Sequence, residues 1–577
     1  MNKFKEAALS RKIGKAEIIS LIIYIIGLII IGIFHEVWFD EAQAWQIARC
    51  ASIKEILFDI PHYEGHPPLW HLLLAVFAKN GAPVAFTLKA VNTVISASAI
   101  AFLLFKSPFP KIVRCGLPFT YFFFYQYGIN SRPYCITMLA IFLAAFFYKD
   151  RNSRPWRYIL ALTLLCLSTA YGILLAGGLC LVWTFEIISE KLKNKDLKSA
   201  ITDKRTHSLL FILISAILLI SFIMPKDDTF YGNSIENKSL LDNLTSTYNL
   251  INFFCIPFDS WFGIGVDNIY SGLLVSKILY VICGITTWGL LLSFSAANKK
   301  LPTFFIPYIF TVSFMAFKYM SNYHIGISAL FHIFIFWIII DENGVPKFPA
   351  FITSIAGRIN SSTMKKVIIN LSILLTVSPV IYSITASYHD IMHNVGCAHF
   401  ADFIKSNHLE DKKIMVRWKY IEDTEHSVFS NSFEKILADN VIPSKHNNIT
   451  AHCTYLSGIG SVILPYFDQN ILMNFNTDHP EDLYMHYKYK EDSKKFLNDW
   501  ADKGLPDFIL NYCPIDEIYD AKTLDNIKYL PVYKKENVTI FKLNVEDAAD
   551  MIYMREDLFD EYPQLHWIYD PKNAQYD

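Results

Sequence analysis

Long apolar runs recur along this chain and constrain its fold more than any other feature. The runs continue up to residue 386 and are about 17 to 25 residues long, enough to cross the hydrocarbon core of a bilayer. Inside a bilayer every backbone polar group needs a partner within the protein, so such runs predict membrane-spanning helices. Of the 577 residues, 53% are hydrophobic and 18% are charged, a composition that excludes most soluble folds.

Basic residues in the short connections predict the orientation of these helices. Lysines and arginines cluster over residues 3–15 and then in every second connection. The alternation fits about eleven spans, with a cytoplasmic N-terminus and the chain after residue 395 on the outer side, in a multi-pass protein of the inner or plasma membrane. The predicted spans cover residues 17–34, 84–105, 112–128, 134–148, an out-and-back pair within 157–189 that turns near Tyr171-Gly172, 207–224, 271–296, 302–317, 324–341 and 364–386.

The first outer loop, residues 35–83, mixes apolar pieces with charged residues. Its apolar piece Pro67–Ala78 is too short to cross a bilayer, so we expect a juxtamembrane helix that lies on the membrane surface. Counting that piece as a span would reverse every later connection and place the basic clusters outside.

Charge becomes frequent after residue 395, which divides the chain into two predicted domains. Residues 1–390 form the transmembrane domain, and residues 395–577 form a soluble extracytoplasmic α/β domain. The formal net charge of -1 shows no bias toward nucleic acid. In the second domain we predict strands at 413–418, 461–465, 471–475 and 507–511, a helix over 493–501, and a closing hairpin of 529–533 with 538–542 around a charged turn.

An acidic pair follows the first span directly, in Trp38-Phe39-Asp40-Glu41. Two carboxylates at the mouth of a span are costly where lipid can reach them, so they should face water or a ligand cavity. There Asp40 can accept a proton or bind a cation, and Glu41 raises the negative potential that favours both. The structural alternative is a capping box, with Asp40 as the N-cap of a helix over 41–50 and Gln43 as its partner.

A double proline begins the juxtamembrane helix, in His66-Pro67-Pro68-Leu69-Trp70. Proline suits the first turn of a helix, so His66 lies at a helix N-terminus, where the dipole and free N–H groups favour an anion such as phosphate. The alternative is a solvated interfacial histidine beside Trp70 in an aromatic belt.

A single arginine, Arg132, stands at the outer end of the third span and is followed by Pro133 and Tyr134. A guanidinium group binds phosphate through two parallel hydrogen bonds, which is the functional interpretation. The alternative is an anchor whose long side chain reaches the lipid headgroups.

The connection between the ninth and tenth spans, Lys318–Gly326, is a further outer cluster. Its Lys318 and His324 can hold a phosphate or a sugar, and the alternative is an ordinary short loop with interface aromatics. The predicted topology brings all these clusters to the outer membrane face. Together they suit a lipid-linked, phosphate-bearing substrate and an acceptor alcohol or amine.

On three of these motifs the chain resembles the GT-C fold membrane glycosyltransferases. These include lipid A aminoarabinose transferases, protein O-mannosyltransferases and rhizobial lipopolysaccharide sugar transferases. The resemblance covers residues 17–390 and rests on the acidic pair at Asp40, the His66-Pro67-Pro68-Leu69-Trp70 run and the Arg132-Pro133-Tyr134 run. It implies an enzyme that transfers a sugar with inversion from a polyprenyl-phosphate donor to an extracytoplasmic glycolipid, polysaccharide or protein.

The resemblance also assigns roles to single residues. Asp40 maps to the catalytic carboxylate, and His66 and Arg132 map to residues near the donor phosphate. Relatives often carry an Arg-His pair in the late outer loop, where this chain has Tyr323-His324. Lys318 and His324 are therefore candidate phosphate ligands on position, without a full match to the motif.

The supporting residues and the cofactor follow from the same comparison. Tyr134 and Trp70 are expected to support the site. Some members use a divalent cation such as Mg²⁺ or Mn²⁺ and others do not, so Asp40 and Glu41 are also a candidate metal or acceptor site.

Two other functions fit a membrane protein of this kind. A transporter or flippase for lipid-linked sugars predicts ionisable residues near mid-span and broken helices in matched halves, which the sequence does not display. A non-enzymatic receptor with an outer ligand-binding domain would not require acids and an arginine to gather in the membrane domain.

Overall fold

The computed structural model of the protein describes residues 14–195, 198–229, 244–263, 274–351, 353–354, 377–388, 390–391, 397–417, 460–473, 475, 479–486, 504–514, 522–524, 527–537 and 548–566.

Helices dominate the described residues, and six of them are long and apolar enough to cross a membrane. The protein therefore belongs to the helical membrane class, while the count of about eleven spans stays a prediction. The six are Lys15–Phe34, Val84–Lys106, Ala170–Lys193, Lys204–Ile223, Val275–Ala297 and Asn322–Asn343, and shorter apolar helices cover Leu69–Ala78, Pro155–Ser168 and Leu301–Phe317. Further helices run over Phe39–Cys50, Ile53–Phe58, Ile60–Glu64, Lys111–Gly116, Tyr134–Phe147, Thr247–Phe262 and Ala398–Ser406.

The long helices leave apolar side chains uncovered by protein. In Lys204–Ile223, 17% of the most apolar window is buried inside the molecule. In Lys15–Phe34, Ile22 and Ile33 are exposed. A lipid phase covers such surfaces without the cost that water would impose.

The predicted third span, 112–128, is not one continuous α-helix. It consists of Lys111–Gly116, a 3₁₀ turn over Leu117–Phe119 and a π-helix over Phe122–Ile129. Pro118 lies at the break and has no N–H to continue the α-helical pattern. The wider π-helical turns lead directly to Arg132, as is common next to functional sites.

Two other membrane segments differ from the prediction. The pair within 157–189 breaks at Thr169, whose hydroxyl accepts the N–H of Gly172 at 3.0 Å and caps the second helix. Part of the connection between the predicted spans 207–224 and 271–296 is a helix, Thr247–Phe262, with Cys255 and Ile256 fully buried. Its interior Pro257 and its polar residues interrupt the apolar pattern, so the sequence did not predict a helix there.

The first loop folds into four short helices, and the last of them confirms that the apolar piece Pro67–Ala78 is helical, whereas its position on the membrane surface stays a prediction. Leu69–Ala78 begins after Pro68 and buries Trp70 and Leu74. Its opposite side leaves Val76 62% exposed, which suits contact with lipid.

A five-stranded mixed sheet lies in the C-terminal region, in the order β1-β2-β5-β4-β3. β1 and β2 are parallel, and the other neighbouring strands are antiparallel. The strands are β1 (Ile414–Arg417), β2 (Phe508–Pro514), β3 (Lys522–Leu524), β4 (Ile527–Asn537) and β5 (Ala548–Arg555).

The predicted strands 413–418 and 507–511 are confirmed as β1 and β2. The prediction for 461–465 is wrong, because the chain turns helically from residue 460 and ends in a 3₁₀ turn, Leu464–Tyr466. Pro465 cannot donate to a sheet ladder. Segment 471–475 makes a single bridge, from Leu472 to Ile414.

The predicted closing hairpin is also wrong in its pairing. β4 continues through the charged residues expected to turn, and it pairs with β5. Residues 538–542 and the predicted helix 493–501 lie outside the described residues, as does the expected boundary between 390 and 395 except for residues 390 and 391.

The C-terminal region packs on the first loop, and the two share one apolar core. Trp45 and Leu74 of the loop are buried with Phe400, Ile463 and Leu510 of the C-terminal region. The two parts are therefore on the same side of the bundle.

Polar contacts add to that joint. The Gln43 side chain donates to the backbone oxygen of Met485 at 2.8 Å and accepts its N–H at 2.9 Å. Arg49 donates to the backbone oxygen of Phe467 at 3.0 Å and pairs with Asp468 at 2.8 Å. These bonds fix the C-terminal region against the helix that begins at Phe39.

Candidate functional site

Asp40 lies in the first turn of the helix Phe39–Cys50, not at its N-cap as predicted. The N-cap is Trp38, whose N–H donates to Glu41 Oε2 at 2.8 Å, so Glu41 performs the capping that the sequence suggested for Asp40. Asp40 is thereby released, and its Oδ2 lies 2.8 Å from Arg132 Nη1. The first turn of a helix favours a carboxylate through its free N–H groups and dipole.

Arg132 is buried among aromatic rings. Its guanidinium carbon lies 4.1 Å from the ring centre of Tyr323, 5.3 Å from that of Tyr134 and 5.8 Å from that of Trp38. These faces favour a cation and hold the guanidinium plane in place. Nη1 is buried and has no hydrogen-bond acceptor in the part of the chain that the structure describes, so its contact with Asp40 is an ion pair without an aligned hydrogen bond.

Asp40 retains more exposure than its partner. Its side chain is 24% exposed, against 8% for Arg132. Burial raises the pKa of Asp40, the Arg132 cation opposes that rise, and the neighbouring Glu41 charge adds to it. Asp40 is therefore the member of the Asp40–Arg132 pair that a ligand can reach.

His66 precedes the helix Leu69–Ala78 and lies near Arg132. Burial lowers the pKa of His66 to about 3, and the positive charge of Arg132 contributes to the fall. The imidazole is therefore neutral at physiological pH and offers a hydrogen bond, not a positive charge. Its Nδ1 is buried without a partner, as is Nε1 of Trp70.

The late connection contributes His324, which is 1% exposed. The N–H of Ser321 donates to His324 Nδ1 at 2.8 Å, and the Tyr171 hydroxyl lies 3.2 Å from the same atom. Since Nδ1 accepts, Nε2 carries the proton, and it is buried without a partner. The ring packs against Tyr134 at 5.8 Å, next to Arg132.

Lys318 is less well connected. It caps the helix Leu301–Phe317 at its C-terminus. Among the described residues, no hydrogen bond or ion pair joins Lys318 to Asp40, His66 or Arg132. Its predicted role in phosphate binding stays a prediction.

Glu64 is a titratable neighbour of the pair that the sequence analysis did not select. Its Oε1 accepts a hydrogen bond from Gln43 Nε2 at 3.0 Å. Burial raises the pKa of Glu64 to about 7, the Gln43 hydrogen bond opposes the rise, the Asp40 charge adds to it and Arg132 opposes it. The available signal was its position two residues before His66, separated from it by Gly65, which turns the chain with φ +65°.

Glu41 is fully engaged in a network of its own. Its Oε2 accepts from Trp38 N–H and lies 2.9 Å from His35 Nε2, while Oε1 accepts the N–H of Ser131. Burial raises the pKa of Glu41, but the charge and hydrogen bond of His35 outweigh it, so the pKa is lowered overall. Glu41 is therefore a fixed anion that braces the site.

A divalent cation, which the resemblance leaves open, does not fit the acidic pair. Both Glu41 oxygens accept hydrogen bonds, and Asp40 already faces the Arg132 cation. A divalent cation would be repelled by Arg132, and both Glu41 oxygens that could ligate it already accept hydrogen bonds. Within the described ranges, the side chains close enough to share a metal ion are His479, Glu481 and Asp482.

The structure thus brings Asp40, His66, Arg132 and His324 together, with Trp70 and Tyr134 beside them. Among the described residues, five buried polar atoms of this group lack hydrogen-bond partners: Arg132 Nη1, His66 Nδ1, His324 Nε2, Trp70 Nε1 and the Tyr134 hydroxyl. Buried polar groups are normally paired, so this concentration indicates a site built for a polar ligand. One cation and several neutral donors suit an anion next to a carboxylate that can take a proton.

Comparison of the whole chain with family models, with curated proteins and with solved structures found no match in any of the three.

Proposed function

We propose that the protein is an integral membrane glycosyltransferase that transfers a sugar from a polyprenyl-phosphate donor to an extracytoplasmic acceptor with inversion. The observation that carries this proposal is the Asp40–Arg132 pair at 2.8 Å, surrounded by buried polar atoms that have no hydrogen-bond partner among the described residues. A phosphate diester supplies the acceptor oxygens that the donors among them lack, and Asp40 supplies the base that a sugar transfer needs.

The proposed reaction begins when the donor phosphate binds to Arg132, His66 and His324. The phosphate competes with Asp40 for the guanidinium group, and Asp40 turns to the acceptor hydroxyl. As the acceptor oxygen attacks the anomeric carbon, Asp40 takes its proton and the bond from that carbon to the phosphate oxygen breaks. Polyprenyl phosphate leaves with the bonding electrons, and its charge is stabilised by Arg132.

Charge explains why the neutral histidines suit this site. Arg132 neutralises one negative charge of the phosphate, and two further cations would hold the product too tightly to leave. His66 and His324 in neutral form donate hydrogen bonds without adding charge. The low pKa of His66 is what keeps it in that form.

The finer architecture belongs to the same proposal. We place about eleven spans in residues 1–390 as a GT-C type domain and put the candidate site on the extracytoplasmic face. The region 395–577 is then extracytoplasmic, because it packs on the first loop beside Asp40. The Gln43 and Arg49 contacts with this region support a role in covering the site or receiving the acceptor.

Asp40→Asn tests the proposal directly. Purified protein is incubated with labelled polyprenyl-phosphate sugars and a cell-envelope acceptor fraction, and transferred sugar is measured. Loss of the base should lower turnover by about 10²- to 10⁴-fold while donor binding persists. Asp341→Asn is the matched control, because Asp341 is also a buried carboxylate, 3.3 Å from Lys149; this variant should retain turnover.

The same experiment separates the rival functions. Donor movement across a vesicle bilayer without any transfer would assign a transporter or flippase. Binding without transfer or movement would assign a receptor. Near-normal turnover in the Asp40→Asn variant would reject the catalytic role of this carboxylate.

A further inference from the structure

Segments distant in the sequence meet in a buried chain of hydrogen bonds beside the candidate site. His35 Nδ1 lies 2.8 Å from Asp390 Oδ2, and His35 Nε2 lies 2.9 Å from Glu41 Oε2. The second Glu41 oxygen accepts the backbone N–H of Ser131. His35 follows the first span, and Asp390 lies near the end of the membrane domain, 355 residues later.

The geometry of this hydrogen-bond network requires His35 to be positively charged. A neutral imidazole has one N–H group. Two carboxylates, one at each ring nitrogen, need two N–H donors, and only the charged imidazolium has both. His35 is 5% exposed, Glu41 1% and Asp390 6%, so water cannot replace a missing donor. Burial acts against the charge, but Glu41 and Asp390 raise the pKa of His35 to about 10. Lys89 Nζ donates to the backbone oxygen of His35 and fixes its main chain as well.

The hydrogen-bond network reaches the backbone next to both Asp40 and Arg132. Glu41 is the sequence neighbour of Asp40 and lies in the same helical turn. Ser131, held by the other Glu41 oxygen, is the sequence neighbour of Arg132. The distance between the two backbones is thereby set by one side chain, and the orientation of that side chain is set by His35.

We propose that His35 and Asp390 are positioning residues, which hold Glu41 in the orientation that keeps Arg132 against Asp40. They touch no reacting atom. In this arrangement Asp390, which precedes the C-terminal region, acts on the Asp40–Arg132 pair through its hydrogen bond to His35. The site is complete when that hydrogen bond is formed. The effect on sugar transfer rests on the proposed function, whereas the effect on Arg132 does not.

The first measurement needs no substrate. Phenylglyoxal modifies accessible arginine, and peptide mass spectrometry gives its rate at Arg132 in detergent-purified full-length protein. Arg132 is 6% exposed and should react slowly in the wild type. His35→Gln can serve one carboxylate and not both, so modification at Arg132 should become about tenfold faster or more, the scale of one lost hydrogen bond to a charged group. Asp390→Asn keeps the shape and should give a smaller increase.

His332→Gln is the matched control. His332 is fully buried, and its ring bonds to Trp261 Nε1 at 3.1 Å and to the Tyr308 hydroxyl at 2.9 Å. The substitution removes a comparable pair of hydrogen bonds inside the bundle without touching Glu41. Its rate at Arg132 should equal that of the wild type.

The outcomes decide between positioning and general stability. Faster modification in both network variants and not in the control supports the proposal, and it does so even if no sugar transfer is ever found. Equal rates in all four proteins overturn it, as does an equal increase in the control. Where transfer is measurable, the network variants should raise KM for the donor and lower kcat, and Asp390→Asn keeps the test open if His35→Gln fails to fold.

Discussion

Arg132→Lys is the substitution that tests the candidate site most sharply. It keeps the positive charge but removes the planar group that lies beside three aromatic rings, at 4.1, 5.3 and 5.8 Å. An ammonium group is a point charge on a flexible stem and cannot hold a phosphate through two parallel hydrogen bonds. A purely electrostatic role would survive the change, whereas an oriented one would not.

The size of the effect follows from the phosphate contact, because the ring contacts are present in the free protein and in the transition state alike. Losing one hydrogen bond to the charged phosphate should remove about 1.5 to 3 kcal/mol of transition-state stabilisation, or about 10- to 150-fold in kcat/KM. Initial rates with a polyprenyl phosphodiester donor provide the measurement.

Arg151→Lys is the matched control. Arg151 also lies over a ring, 3.8 Å from Tyr148, and pairs with Glu186 at 2.9 Å. It follows the far end of the 14-residue helix Tyr134–Phe147, about 21 Å along from Arg132. This variant should lose stability and keep kcat/KM. If Arg132→Lys stays within about threefold of wild type, or if both variants fall equally, the oriented role of Arg132 is refuted.

Three further predictions concern the surroundings of the pair. Burial raises the pKa of Glu64 to about 7, so as pH rises through about 7 its new charge should repel the proposed anionic donor and raise KM. A phosphodiester donor keeps a constant charge across that range, so Glu64→Gln should make KM flat. The pKa of His35 is raised from 6.5 to about 10, so the stability that the charged His35 contributes is complete below pH 6.5 and is lost as pH rises toward 10. Thermal unfolding should therefore show stability falling with pH in the wild type and falling less steeply in Asp390→Asn. Identical slopes would contradict the ion pair. Gln43→Ala removes two hydrogen bonds to Met485 and should weaken the packing of the C-terminal region on the first loop by about 1 to 3 kcal/mol. Amide exchange at Met485 should then become faster while exchange in the membrane helices stays unchanged. Unchanged exchange at Met485 would show that the apolar core alone holds the C-terminal region in place.

The membrane helices could be predicted because their cause is local. Run length and hydropathy decide whether a segment can cross a bilayer, and both are properties of consecutive residues. The juxtamembrane helix Leu69–Ala78 and the strands β1 and β2 followed from similar local patterns. The helix Thr247–Phe262 was missed because its buried face mixes polar residues such as Asn252 and Asp259 with apolar ones, so the segment does not stand out as an apolar run.

The capping error at Asp40 shows the limit of local patterns. Asp40 and Glu41 are both acceptable near a helix start, and the sequence favoured the first as the cap. The helix begins two residues earlier, and Glu41 is also held by His35 and Ser131. This shift of two residues transferred the capping role to Glu41 and left Asp40 facing Arg132.

By itself the sequence determined that this is a helical membrane protein and named Asp40, His66 and Arg132 as residues of interest, because span length, charge alternation and short motifs are written in neighbouring residues. The tertiary structure alone decided which of them touch: the Asp40–Arg132 pair, the raised pKa of Glu64 and the chain from Asp390 through His35 to Glu41. Such contacts join residues up to 355 positions apart, and their energies depend on burial and orientation, which arise when the helices and the C-terminal region pack together.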